Sequence, residues 1–168
     1  MSQGLRLLSV AERVVSVAVD QLKNSGITDK TGGIFYCQRL SSGRFLLMAA
    51  IGYNEPKQVP ARMAVAQEKA YRVCLLGDPS VFTTSYDSRN PDLLRWGGAV
   101  GIGSCNGRGD LVLSFSGLPE LWDEAAMLVT AVRSHDVNEV MVLEQISEQR
   151  NPYLRPLLEV CHWSHWTE

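Results

Sequence analysis

Trp96-Gly97-Gly98-Ala99-Val100-Gly101-Ile102-Gly103-Ser104-Cys105 runs into Asn106-Gly107-Arg108-Gly109-Asp110 and then Leu111-Val112-Leu113-Ser114-Phe115-Ser116-Gly117. This stretch decides the fold. Two apolar runs flank a segment of Asn and Gly, residues that accept the positive φ of hairpin turns. A β-hairpin is predicted, pairing Val100–Cys105 with Leu111–Phe115. Gly101-x-Gly103-x-x-x-Gly107 is not a nucleotide loop, because a strand rather than a helix follows it. Gly101 and Gly103 share one face of their strand, where a missing side chain admits close approach of a backbone or a ligand.

Outward from the hairpin, Pro119 opens a helix whose apolar stripe is Trp122, Ala125, Ala126, Val129 and Val132. Asp123 and Glu124 fall in its first turn, where the helix dipole favours acids. Upstream, residues 78–95 hold prolines and small polar residues and read as a long ordered loop with one helical turn after Pro91. Before it, Pro60 and Gly77 bracket a helix with the narrow stripe Met63, Ala66, Ala70 and Val73. Its small residues suit close packing on a sheet. Lys69 sits beside that stripe and reads either as a snorkelling surface lysine or as a partner for a ligand carboxylate.

Gly33–Leu40 and Phe45–Ile51 form a second predicted hairpin around Ser41-Ser42-Gly43-Arg44. The second of these strands is apolar on both faces, which places it in mid-sheet under helices on two sides. Ser9 and Glu12 fit a capping box for the first helix, with Val10, Val14, Ala18 and Leu22 as its stripe and Gly26 as its end. Beyond Asp136, the run Val140-Met141-Val142-Leu143 leans towards a strand, and Tyr153–Val160 reads as a helix. The sum is an α/β chain of the α+β kind, an antiparallel sheet with helices on both faces.

Sixteen basic against 18 acidic side chains leave a net charge of -2, without the basic footprint of a nucleic-acid binder. No apolar run approaches a membrane helix, and Met1–Arg6 lacks the features of a secretory signal, so the cytoplasm is the expected location. Cys37, Cys74, Cys105 and Cys161 make no C-x-x-C pair and read as reduced thiols, mostly buried. Cys161-His162-x-x-His165 brings soft and imidazole ligands together and is a weak candidate for a metal or haem iron; a docking tail with Trp163 and Trp166 is the stronger reading. Ser134-His135-Asp136 are neighbours in sequence, which is not how a catalytic triad is recognised.

Five pieces in order resemble the GlcG/HbpS-like family, which includes the C-terminal domain of PduO. They are Ala66-Gln67-Glu68-Lys69-Ala70, Gly97-Gly98, the hairpin from Gly101, its Ser116-Gly117 end, and Asp123-Glu124-Ala125-Ala126. The resemblance covers roughly residues 5–135, so residues 1–135 are expected to form the family domain. Residues 136–168 would be a C-terminal extension packing on that domain or on a neighbouring subunit. It implies a profilin-like three-layer sandwich with an antiparallel sheet of about five strands flanked by helices. It also implies a homo-oligomer, with haem or another small carboxylate-bearing molecule as ligand. Lys69, Gly97, Gly98, Gly101, Asp123 and Glu124 are the candidate ligand-binding residues. The chain departs from the family around Leu40–Gly43, Met48–Ala50 and Ala99-Val100, and all three histidines, His135, His162 and His165, lie in its last third. A small-ligand binder, an enzyme or accessory acting on a small organic acid or on haem, and a non-catalytic oligomeric scaffold all fit these residues. No catalytic constellation is identifiable.

Overall fold

The computed structural model describes residues 2–76, 82–103 and 110–162. The chain order is α1 (Gln3–Ser25), β1 (Gly32–Gln38), β2 (Phe45–Gly52), α2 (Val59–Leu75), β3 (Phe82–Thr84), β4 (Ala99–Ile102), β5 (Leu111–Ser116), α3 (Glu120–Arg133), α4 (Glu139–Gln145) and α5 (Leu154–Val160). The five strands form one sheet in the order β2-β1-β5-β4-β3, and every neighbouring pair is antiparallel. The protein is thus α+β, with three layers. Among the described residues, no helix is long and apolar enough to cross a membrane.

Period-two alternation along the central strands divides the core. Phe35 and Cys37 of β1, with Leu111, Leu113 and Phe115 of β5, face a large cluster built with α1, α3, α4 and α5. Ile34, Tyr36 and Val112 face the other way, onto Ala66, Ala70 and Val73 of α2. The small residues of α2 do bring it close to the sheet. A Cβ on Gly101 would collide with Val73, so Gly101 admits the helix. Met63, expected on that stripe, is instead exposed at its edge.

The predicted central hairpin is β4 with β5, in the register Ala99↔Ser114 to Ile102↔Leu111. Its turn, Ser104–Gly109 with Cys105, lies outside the described residues, as does Gly77. Three expectations are corrected. The first helix begins at Gln3, with the Ser2 hydroxyl accepting from Leu5 N–H, so Ser9 and Glu12 lie inside it. Leu7 is fully buried and extends the stripe upstream of the presumed cap. The end at Gly26 is as expected, with a left-handed φ of 65°.

Second, the apolar β2 is an edge strand. Phe45 is 55% exposed, and only Ile51 in it is buried. The middle belongs to β1 and β5, whose polar residues concealed their position. Two of these have internal partners: Ser114 donates to Ala66 O (2.8 Å), and Gln38 accepts from the Tyr36 hydroxyl (2.6 Å). Third, Val140-Met141-Val142-Leu143 is helical. Asn138 caps α4 by accepting from Val140 N–H (2.8 Å), and of α4 only Val142 is buried. The long loop also holds a strand, β3, which the sequence pattern did not reveal, besides the turn at Pro91–Leu93. Residues of α4 and α5, including Val142, Leu154, Leu157 and Leu158, join the large core against α3.

Candidate functional site

Lys69 projects from α2 towards the end of β5, where its ammonium is 2.8 Å from Asp123 Oδ2. It also donates to Phe115 O (2.9 Å). Asp123 Oδ1 in turn accepts from Leu118 N–H (2.9 Å). Both side chains are almost fully buried, at 2% and 3% exposure. Burial pushes the Asp123 carboxyl above its usual range, while the Lys69 charge, its hydrogen bond and the Leu118 N–H pull it back. The pair therefore ties α2, the end of β5 and the start of α3 together. The position in which a ligand carboxylate was expected to meet Lys69 is taken by Asp123 of the same chain.

Gly98 lies directly over this pair at φ 115°. A Cβ there would come within 2.7 Å of Asp123 Cβ and 2.8 Å of Lys69 Nζ, so the backbone packs where a side chain has no room. Gly97 donates its N–H to Glu120 Oε1 (2.6 Å). Gly98 O accepts from Phe115 N–H (3.0 Å), extending the β4–β5 ladder to the pair.

Lys69 and Asp123 help to line a cleft of about 520 Å³. Trp96, Ser116, Gly117, Leu118, Pro119 and Glu120 also line it, as do Lys30, Gln58, Arg62 and Val65. Arg62 went unnoticed in the sequence. It is on the same face of α2 as Ala66, Lys69 and Val73, a helical spacing that could have flagged it. Its guanidinium donates to Gly32 O (3.1 Å), Asn54 Oδ1 (2.6 Å) and Gln58 Oε1 (2.7 Å), all neutral acceptors. Among the described residues, no carboxylate makes an ion pair with it. Of its five donor hydrogens, those bonds leave the Nε–H and one on Nη2 without an acceptor among the described residues.

Glu124 points elsewhere. It is fully buried and takes a two-pronged contact from Arg150 (2.6 and 2.7 Å), with Asn151 Nδ2 at 2.9 Å. Arg150 also stacks over Tyr86 at 3.4 Å and reaches Thr84. Arg72, another residue unremarked in the sequence, donates to Ser85 O, Ser88 O and Trp96 O, and so shapes the loop that carries Trp96. Only the folded chain reveals these contacts, because Arg72 and Arg150 stand in no motif.

The structure thus brings Lys69, Gly97, Gly98 and Asp123 together and separates Gly101 and Glu124 from them. Cys161 is buried, its thiol pushed up to about 11 by desolvation. His162 and His135 are exposed. His165 lies outside the described residues, and among those described no cluster of three or more His, Cys, Asp or Glu is placed to hold a metal ion. No family model matches the chain, and no curated protein or solved structure matches it.

Proposed function

We propose that the protein is a GlcG/HbpS-like, profilin-like homo-oligomer that binds a small carboxylate-bearing ligand in the cleft above Lys69 and Asp123, held at Arg62. One observation carries this reading. Arg62 is a guanidinium at the cleft, held by three neutral acceptors, with two donor hydrogens unused and no ion pair among the described residues. Guanidinium–carboxylate contacts are the strong, directional kind. The Lys69–Asp123 pair cancels itself and holds the chain at both Phe115 O and Leu118 N–H, beside the lining residues 116–118.

Haem fits the lining less well. None of the residues bordering the cleft offers an imidazole, thiolate, thioether or phenol to iron. The oligomer is supported by β2, an eight-residue edge strand without a charged side chain, which natural sheets seldom leave uncovered.

The test is a titration of 15N-labelled protein with sodium acetate, followed by NMR. Shifts are expected at the amides of Arg62, Ser116, Gly117 and Leu118, and they should vanish in Arg62→Gln. Acetate binding that survives unchanged in Arg62→Gln would overturn the proposal.

A further inference from the structure

We infer that the cleft is built for an aromatic carboxylate, with a flat apolar body against Trp96 and the acid group on Arg62. This rests on the carboxylate reading above and goes further by naming the class of ligand. The charges bordering the cleft are Lys30, Arg62 and Lys69 against Glu120 and Asp123, a surplus of one positive charge. Lys69 and Asp123 neutralise each other, and Glu120 is turned to Gly97 N–H and to Arg89 at 3.3 Å. Lys30 and Arg62 remain, neither in an ion pair among the described residues, so the lining is left positive where an acid group would bind.

Val65, Trp96, Leu118 and Pro119 add apolar lining beside the neutral polar Gln58 and Ser116. Such a mixture, cations beside apolar side chains, recognises a body as well as a head group. Trp96 is only half-buried, and its backbone is fixed from both sides. Its carbonyl accepts from Arg72 and from the Ser85 hydroxyl, and the following Gly97 N–H is held by Glu120. An indole carried on a backbone held in this way has only its two side-chain torsions left to lose when a ring stacks on it. About 520 Å³ is ample for a ring and a short acidic arm, and lies within the usual range of small-molecule sites.

The experiment compares acetate, phenylacetate and phenylacetamide by NMR titration of the full chain, in wild type, Arg62→Gln, Trp96→Leu and Trp96→Phe. Phenylacetate is expected to bind at least about tenfold more tightly than acetate, and the uncharged amide far more weakly than phenylacetate. Trp96→Leu should erase the preference by weakening phenylacetate far more than acetate, and Trp96→Phe should restore most of it. Equal affinities for acetate and phenylacetate in wild type would overturn this inference and leave the carboxylate reading standing, as would a preference that persists in Trp96→Leu. Binding of neither acid, or binding indifferent to Arg62→Gln, would overturn both.

Discussion

Asp123 and Glu124 are adjacent in the chain, in the same turn of α3, and both are buried; yet they serve different parts of the molecule. Asp123 faces α2 and the cleft, where a lysine and a backbone N–H saturate it. Glu124, about 100° further round the helix, faces the C-terminal segment and joins it to the core through Arg150 and Asn151. The helix dipole acts on both alike and so explains neither. What distinguishes them is the cation that the fold delivers to each, one from 54 residues upstream and one from 26 residues downstream. A pair of acids at a helix start is thus a weak guide to function until the tertiary partner of each is known.

Removing one member of the Asp123 pair is expected to have the largest effect. Lys69→Met or Asp123→Asn should each cost on the order of 3–5 kcal/mol in denaturant unfolding, since the other group is left buried without its counter-charge. The double variant Lys69→Met/Asp123→Leu should recover most of that loss. Additive costs in the double variant would show that the two do not act as a pair.

Arg150→Met should cost less, about 1.5–3 kcal/mol, because Glu124 keeps Asn151 and the Arg150 side chain is itself 21% exposed. Its signature should be regional: faster amide exchange in α5 than around β5. Uniform exchange across the chain would dissolve the contrast between the two acids. Gly98→Ala sharpens the comparison from above. It should disturb the Asp123 side only, at about 1–3 kcal/mol, and leave the α5 amides unaltered. A fully stable Gly98→Ala protein would mean that the backbone over the pair has room to move.

A thiol outside both networks sets the smallest expectation. Desolvation holds Cys37 at about 12, against an ordinary value of 9.0. Between those values the unfolded chain releases the proton and the folded chain keeps it. The native state then binds more protons, and stability falls as pH rises from 9 towards 12. Cys37→Ala should flatten that slope. An unchanged slope would assign the alkaline loss to other groups.

Much of the fold was legible in the sequence because alternation and turn chemistry are local. The β4–β5 hairpin, the β1–β2 hairpin and the left-handed stop at Gly26 all follow from neighbours in the chain. The place of β2 was not legible. Its apolar residues suggested the middle of the sheet, whereas strand order depends on which strands meet across long separations, as β1 meets β5 at Phe35↔Phe115. The α4 segment misled for a related reason: four apolar residues suit a strand or a helix, and one Asn cap decided between them.

For the candidate site, Lys69, the paired glycines and Asp123 were visible as pieces of a pattern. Their mutual geometry, and the fact that lysine and aspartate satisfy each other, needed the folded chain. Arg62 carried a faint helical-spacing signal, and Arg150 carried none.

The central claim is that a ligand's acid group meets Arg62 rather than Lys69, while the buried Lys69–Asp123 pair is structural. Phenylacetate affinity and unfolding free energy, measured together on Arg62→Gln and on Lys69→Met/Asp123→Leu, test it most directly. The expected result is a split. Arg62→Gln should lose binding at a cost of only about 1 kcal/mol in stability, and the folded double variant should still bind within a few-fold of wild type. Binding retained in Arg62→Gln but lost in the folded double variant would contradict the account and return the ligand contact to Lys69.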